Sequence, residues 1–167
     1  MSATTTTTTT KPPTPTIAGG GTFTVLEINW SQAIGAHLEA LSLQFAAQIQ
    51  TRNFSAPIFA YLAPEIDAVW DDFPPCSSRT QYLAALEANA ARSPRYGCEV
   101  LNACSAVRKS GSRATVWLTV VVTGLPVERH EKMRRESVMK LDWKLGRNRG
   151  WKCVRKTELR GSGTGGY

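Results

Sequence analysis

"ATVWLTVVVTG" occupies residues 114–124. In an extended chain Val116, Leu118, Val120 and Val122 fall on one side, and Thr115, Trp117, Thr119 and Val121 on the other. Both sides are rich in β-branched or large apolar residues, which predicts a central strand covered on both faces. The period of two continues outward from it. "RYGCEVLNACSAVRK" (95–109) reads as a long strand, and "SGSR" (110–113) as the turn between the two. Downstream, "LPVERHE" (125–131) links to "KMRRESVMKLDWKL" (132–145), where Met133, Met139, Leu141, Trp143 and Leu145 share a face that Arg135 and Ser137 interrupt. "GRNRG" (146–150) is a hairpin turn, and "WKCVRKTELR" (151–160) closes the series.

Upstream of residue 95 the period is helical. Ile34, Leu38, Leu41, Phe45 and Ile49 make one apolar stripe, which predicts a helix over 31–52 with Ser31 capping its first turn. Ser55 and Pro57 open a short second helix that Pro64 ends. "IDAVWDDFPP" (66–75) reads as a strand over about 66–72, stopped by Phe-Pro-Pro. Ser78 and Gln81 have capping-box spacing at the start of a third helix, whose buried stripe is Tyr82, Leu86 and Ala90. Helices first and an antiparallel meander last define an α+β domain. A strongly curved, mostly antiparallel sheet wrapped around three N-terminal helices leaves a pocket between the layers.

The ends are of different composition. Residues 1–22 hold seven consecutive threonines followed by Pro- and Gly-rich chain, and 161–167 are "GSGTGGY". Neither can bury enough apolar area to offset its ordering entropy, so a disordered leader, a domain over 23–160 and a flexible tail are expected. No apolar run is long enough to cross a bilayer as a helix, and no basic-then-apolar segment marks a secretory signal. Cys76, Cys98, Cys104 and Cys153 fit no zinc spacing and suit a reduced, cytoplasmic setting. From Arg92 onward there are 17 Lys and Arg against 6 Asp and Glu, a local +11, and before it 3 against 7, a local −4. A basic half of this kind can contact nucleic acid or anionic ligands; the reading preferred is a solvated sheet face, because these residues sit at alternate strand positions and no basic run is interleaved with exposed aromatics.

The phrases "FAAQIQTRNFSAPIFAYLAPEIDAVWDD", "SSRTQYLAALEANAARSPRYGCEVLNA", "RATVWLTVVVTG" and "SVMKLDWKLGRNRGWKCVR" resemble the nuclear transport factor 2-like cone fold, in particular its SnoaL-like branch. The resemblance covers nearly all of 31–160. It implies a cone-shaped barrel, a homodimer formed through the sheet, and a deep pocket. It also implies kinship with ketosteroid isomerases, scytalone dehydratases, polyketide cyclases and fungal isomerases of secondary metabolism, none of which needs a cofactor for acid–base chemistry. Non-catalytic binding domains share the fold. In ketosteroid isomerases the base is an aspartate ending the first strand, and "VWDDFPP" puts Asp71 or Asp72 at that place. The oxyanion tyrosine of the same enzymes is matched by Phe45, which cannot donate a hydrogen bond. The histidine pair of scytalone dehydratases has no counterpart motif, since this chain has only His37 and His130.

Alternation puts Asp72 on the face of Ile66, Ala68 and Trp70, and Asp71 on the other. A carboxylate against an indole is desolvated and becomes a better base near neutrality; the alternative is that both acids solvate a turn. His130 can move protons near pH 7 or sit in water among charges. Arg135 can hold an enolate or carboxylate if its face is the inner one. Phe45, Tyr61, Trp70, Trp117, Met139 and His37 are the expected pocket residues, with structural roles as the alternative for each. The resulting expectation is a cofactor-independent isomerase, cyclase or dehydratase acting by acid–base proton transfer on an apolar, oxygenated polyketide or terpenoid, with a non-catalytic ligand-binding or protein-interaction domain of the same fold as the alternative. A small-molecule substrate and a homodimer are expected, with no metal, nucleic acid or membrane partner.

Overall fold

The computed structural model describes residues 25–70, 73–124 and 134–160. In chain order they form α1 (Val25–Thr51), a 3-10 turn (Pro57–Tyr61), β1 (Leu62–Trp70), β2 (Phe73–Cys76), α2 (Arg79–Arg92), β3 (Gly97–Val107), β4 (Arg113–Thr123), β5 (Arg135–Leu145) and β6 (Trp151–Arg160). The six strands make one sheet in the order β2-β1-β6-β5-β4-β3. Neighbours are antiparallel except β1 and β6, which run parallel. The edge strands β2 and β3 do not pair with each other, so the curved sheet stays open. β4 lies between β3 and β5, as its two apolar faces predict.

The helical half departs from expectation in three places. α1 begins at Val25, so Ser31 lies inside it and caps nothing. The expected second helix is a five-residue 3-10 turn whose N-cap is Ala56, while Ser55 bonds to Asn53 instead (3.1 Å). The described residues therefore hold two α-helices, not three. Pro64 does not end a helix but lies within β1, where the ladder to β6 is interrupted between Leu62 and Asp67 and its missing N–H breaks no bond. "FPPC" does not stop the strand but forms β2, an edge position that tolerates proline.

Both helix junctions that frame the interior have local causes. α1 ends with Arg52 in the left-handed region (φ 60°), its N–H donating to Ile49 O (3.2 Å) and that of Asn53 to Gln48 O (3.0 Å). The Arg52 guanidinium then donates to the carbonyls of Ser93 (3.2 Å) and Pro94, tying the end of α1 to the end of α2. At the start of α2, Ser78 Oγ accepts from Gln81 N (3.2 Å), and Gln81 Oε1 accepts from Ser77 N (3.0 Å). The capping box thus closes one residue early. Ser78→Ala is expected to cost about 1 kcal/mol in urea unfolding; an unchanged midpoint would mean that water replaces the cap.

One hydrophobic cluster joins the two layers. It contains Leu38, Leu41, Phe45 and Ile49 from α1, Tyr82 and Leu86 from α2, and the inner rows Val116–Leu118–Val120–Val122 and Met139–Leu141–Trp143 of β4 and β5. α1 lies close over β3: a Cβ on Gly35 would meet Ser105 Oγ at 2.6 Å. No helix among the described residues is long and apolar enough to cross a membrane.

Candidate active site

The inner face of the sheet carries polar groups that alternation alone does not place there. β6 pairs Asp142 with Arg155 but Trp143 with Cys153, which leaves Val154 as an extra residue. Such a bulge exchanges the two faces of a strand. Before it, Cys153 points inward; after it, Lys156 and Glu158 do, opposite Leu141 and Met139. Without the bulge, Arg155 and Thr157 would be inside and this pair in water.

Lys156 and Glu158 form a buried ion pair. Nζ lies 2.9 Å from Glu158 Oε2, and the side chains are 4% and 13% exposed. The ammonium also stands over the rings of Trp70 (4.8 Å) and Tyr82 (5.8 Å), a desolvated cation–π setting. Tyr82 meets Trp70 edge-on (5.2 Å) and stacks on Phe45 (6.2 Å), so α2 and β1 wall the pair with aromatic surface. An ion pair this deep is stable only with its partners in place; its desolvation cost makes it a poor device for stability.

Around the pair stand buried polar atoms with no hydrogen-bond partner: Tyr82 OH, Ser137 Oγ and, toward the other end of β5, Trp143 Nε1. Ser137 is one inward step from Met139, which faces Glu158. Leaving such a group unpaired costs free energy, so each is a place for a ligand atom or water. Burial, then the Glu158 charge, holds the Tyr82 and Tyr96 phenols well above their usual range, so both stay protonated donors. Burial, with Glu158 adding and Lys156 opposing, pushes Cys98 to about 11; burial pushes Cys153 up to about 12.

These shifts have a stability consequence of definite sign. Each group binds its proton more tightly when folded, so its contribution is complete below the unfolded value, 9.0 for the thiols, and is lost as pH rises through the folded value. The unfolding free energy from urea titration, under reductant, is expected to be level near neutrality and to fall above about pH 9, by about 1.4 kcal/mol per pH unit for each such group, with the midpoint falling in step. Cys98→Ala should remove one group's share of that slope. A midpoint unchanged at about pH 10.5 would contradict the burial of these groups.

The expected site residues fall into three sets. Trp70, Met139 and Phe45 are buried and inward, beside the pair. Arg135 starts β5 on the inner row with Ser137 and is half-buried, so its face is the inner one. Trp117 is a correction: it projects from the outer face of β4, opposite Cys104 and Lys140, because Val116 and Leu118 take the core side. Tyr61 is another, 38% exposed at the far end of the sheet beside Lys152. His37 is exposed on α1, off the stripe formed by Leu38, Leu41 and Phe45. Asp71, Asp72 and His130 lie outside the described residues. Among the described residues no group of three or more His, Cys, Asp or Glu is placed to hold a metal ion.

The architecture is that of the nuclear transport factor 2-like, or cystatin-like, cone fold. A nuclear transport factor 2-like protein of Novosphingobium aromaticivorans superposes with a TM-score of 0.60 at 17% identity, over 84% of this chain and 88% of that one. A candidate ketosteroid isomerase of Shewanella frigidimarina gives 0.57 at 16% identity, over 71% and 91%. A candidate scytalone dehydratase of N. aromaticivorans gives 0.52 at 13%, over 78% and 85%. Neither a protein-family model nor a curated protein matches the sequence.

Proposed function

We propose that this chain is a cofactor-independent isomerase, cyclase or dehydratase that moves protons on an apolar, oxygenated metabolite of the polyketide or terpenoid kind. The observation that carries the reading is the buried Lys156–Glu158 pair, set among unpaired interior hydroxyls. Glu158 would take a proton from carbon beside a carbonyl. Lys156 and the Tyr82 phenol would stabilise the charge that develops on the carbonyl oxygen, in a site whose low dielectric strengthens both effects. Trp143 N–H can only donate and Tyr82 stays protonated, so the complementary group on the ligand is an acceptor oxygen. Trp70, Phe45 and Met139 offer flat apolar surface to the rest. The likeness in fold to a candidate ketosteroid isomerase and a candidate scytalone dehydratase agrees with this class of chemistry. Asp72 or Asp71, which follow Trp70 in the sequence, His130 and Arg135 are proposed to assist.

Phe45 in place of an oxyanion donor favours a second reading, a binding domain without chemistry. Under the first reading the phenol comes from α2 instead, through Tyr82 stacked on Phe45. Deleting the gene and profiling metabolites separates the two. An accumulated oxygenated precursor, with loss of its isomer or dehydration product, supports catalysis; an unchanged profile where the gene is expressed removes it.

The proposed setting is a cytoplasmic homodimer joined through the outer face of the sheet. Val138 and Leu159 are cross-strand partners there, and Leu159 is 55% exposed. Leu159→Lys is expected to shift the molar mass in light scattering to that of one chain; a monomeric wild type would remove the dimer.

A further inference from the structure

The far end of the sheet, away from the interior pair, gathers the basic residues of the C-terminal half. The β3–β4 turn brings Arg108 and Arg113, and the β5–β6 turn brings Arg147 and Arg149; all four are exposed. The two turns are stapled together by Leu145 N–H donating to Ser112 O (2.9 Å). Neither 108–113 nor 144–152 contains an acid. Asp142, just inside, is already held by Lys140 (3.1 Å) and Thr115 (2.7 Å). Arg108, Arg113, Lys144, Arg147 and Arg149 have no ion pair with a carboxylate among the described residues.

Two choices at this end oppose stability. Arg113 pairs with Lys144, and Lys144 with Lys152, so three cations stand in direct cross-strand register on one face. Like charges placed so are unfavourable. Arg149 adopts φ 58°, where glycine or asparagine would be cheaper. The turn around it is nonetheless fixed by Gly146 N–H to Gly150 O (2.9 Å) and Arg149 N–H to Gly146 O (3.0 Å). Cations held in an ordered array against their own repulsion are matched to an anionic partner.

Aromatic rings flank the array. Trp30 is 61% exposed and lies on the β3–β4 turn, its ring 3.1 Å from the Cβ position of Gly111. Tyr61 is 38% exposed, with Lys152 Nζ 6.0 Å from its ring centre. No basic segment of the sequence is interleaved with exposed aromatics; folding brings them together from α1 and the 3-10 turn. Rings beside a cationic row, with Arg and Asn on the turns, are the elements that stack bases and grip phosphates of a single strand. A membrane-docking surface leads with apolar side chains, and "RKSGS" (108–112) and "GRNRG" (146–150) have none.

We infer that the β3–β4 and β5–β6 turn end is a binding surface for single-stranded nucleic acid, separate from the interior site. The test is fluorescence anisotropy of a short labelled single-stranded oligonucleotide with the full chain over a salt series. Phosphatidylserine vesicles and polyglutamate serve as the other polyanions. Binding is expected, with log K falling against log salt at a slope of about −3, as for some four phosphates contacted. Arg113→Gln with Lys144→Gln should weaken binding about tenfold and flatten the slope by about one. Trp30→Ala should weaken it about tenfold at unchanged slope. The inference is overturned by any of three results: no oligonucleotide binding at low salt, binding to vesicles or polyglutamate but not to the oligonucleotide, or affinity that none of these substitutions alters.

Discussion

Replacing Glu158 with Gln is expected to reduce turnover by about 10²–10⁴-fold in a protein that still folds, at a stability cost of about 3 kcal/mol because the buried Lys156 ammonium loses its counter-charge. Gln keeps the volume of the side chain and still offers Lys156 an oxygen, so the packing near Tyr82 and Tyr96 is preserved. It removes the basic lone pair, and with it the means of taking a proton from carbon. The effect should fall on kcat more than on KM, because the charge on the substrate oxygen is greatest in the transition state. Circular dichroism should match wild type. Full turnover in Glu158→Gln would remove Glu158 as base and return attention to Asp72 and Asp71.

Replacing Lys156 with Met is expected to cost about 3 kcal/mol in urea unfolding at neutral pH. The methionine fills the space between Trp70 and Tyr82, so the loss is electrostatic: a carboxylate 13% exposed is left without its ammonium. Its carboxyl should then hold a proton to higher pH than in water. The sign follows: a group whose folded pKa is raised gives its stability in full below the unfolded value and loses it as pH rises through the folded one. The Met variant should therefore recover part of its deficit near pH 5, where wild type gains nothing comparable. In a double-mutant cycle, adding Glu158→Gln to Lys156→Met should restore most of the loss, since the stranded charge is gone. Additive losses would mean that the two residues do not act as a pair.

The sheet was legible because its strands obey simple alternation over long runs. "ATVWLTVVVTG" reads as central and is central; the turns at 110–113 and 146–150 fall where Gly and Ser place them. The inner position of Trp70 follows from the same rule, as does the shared face of Arg135, Ser137, Met139, Leu141 and Trp143; the direction of that face stayed open in the sequence and is inward in the fold. The Lys156–Glu158 pair was not legible, and the reason is one residue. Val154 is inserted in the ladder, and nothing in "WKCVRKTELR" marks it, as no glycine or proline does. A Lys-x-Glu at a strand end reads as solvated, and only the shifted register turns it inward. Tyr61 was misplaced by a related limit: a 3-10 turn running directly into a strand has too few residues to show a period. Trp117 was misplaced because its strand is apolar on both faces and offers no rule for choosing between them.

Proton transfer on an oxygenated metabolite is proposed to run through the Lys156–Glu158 pair. The most direct measurement is mass spectrometry of the reaction in D2O. The purified full chain, wild type or Glu158→Gln, is incubated with the precursor that accumulates in the deletion strain. Wild type is expected to exchange the hydrogen on the carbon beside the carbonyl for solvent deuterium, read in recovered precursor as well as in product, and Glu158→Gln is expected to show no exchange above background. Equal exchange by both proteins would remove Glu158 as the base and the Lys156–Glu158 pair as the site of proton transfer.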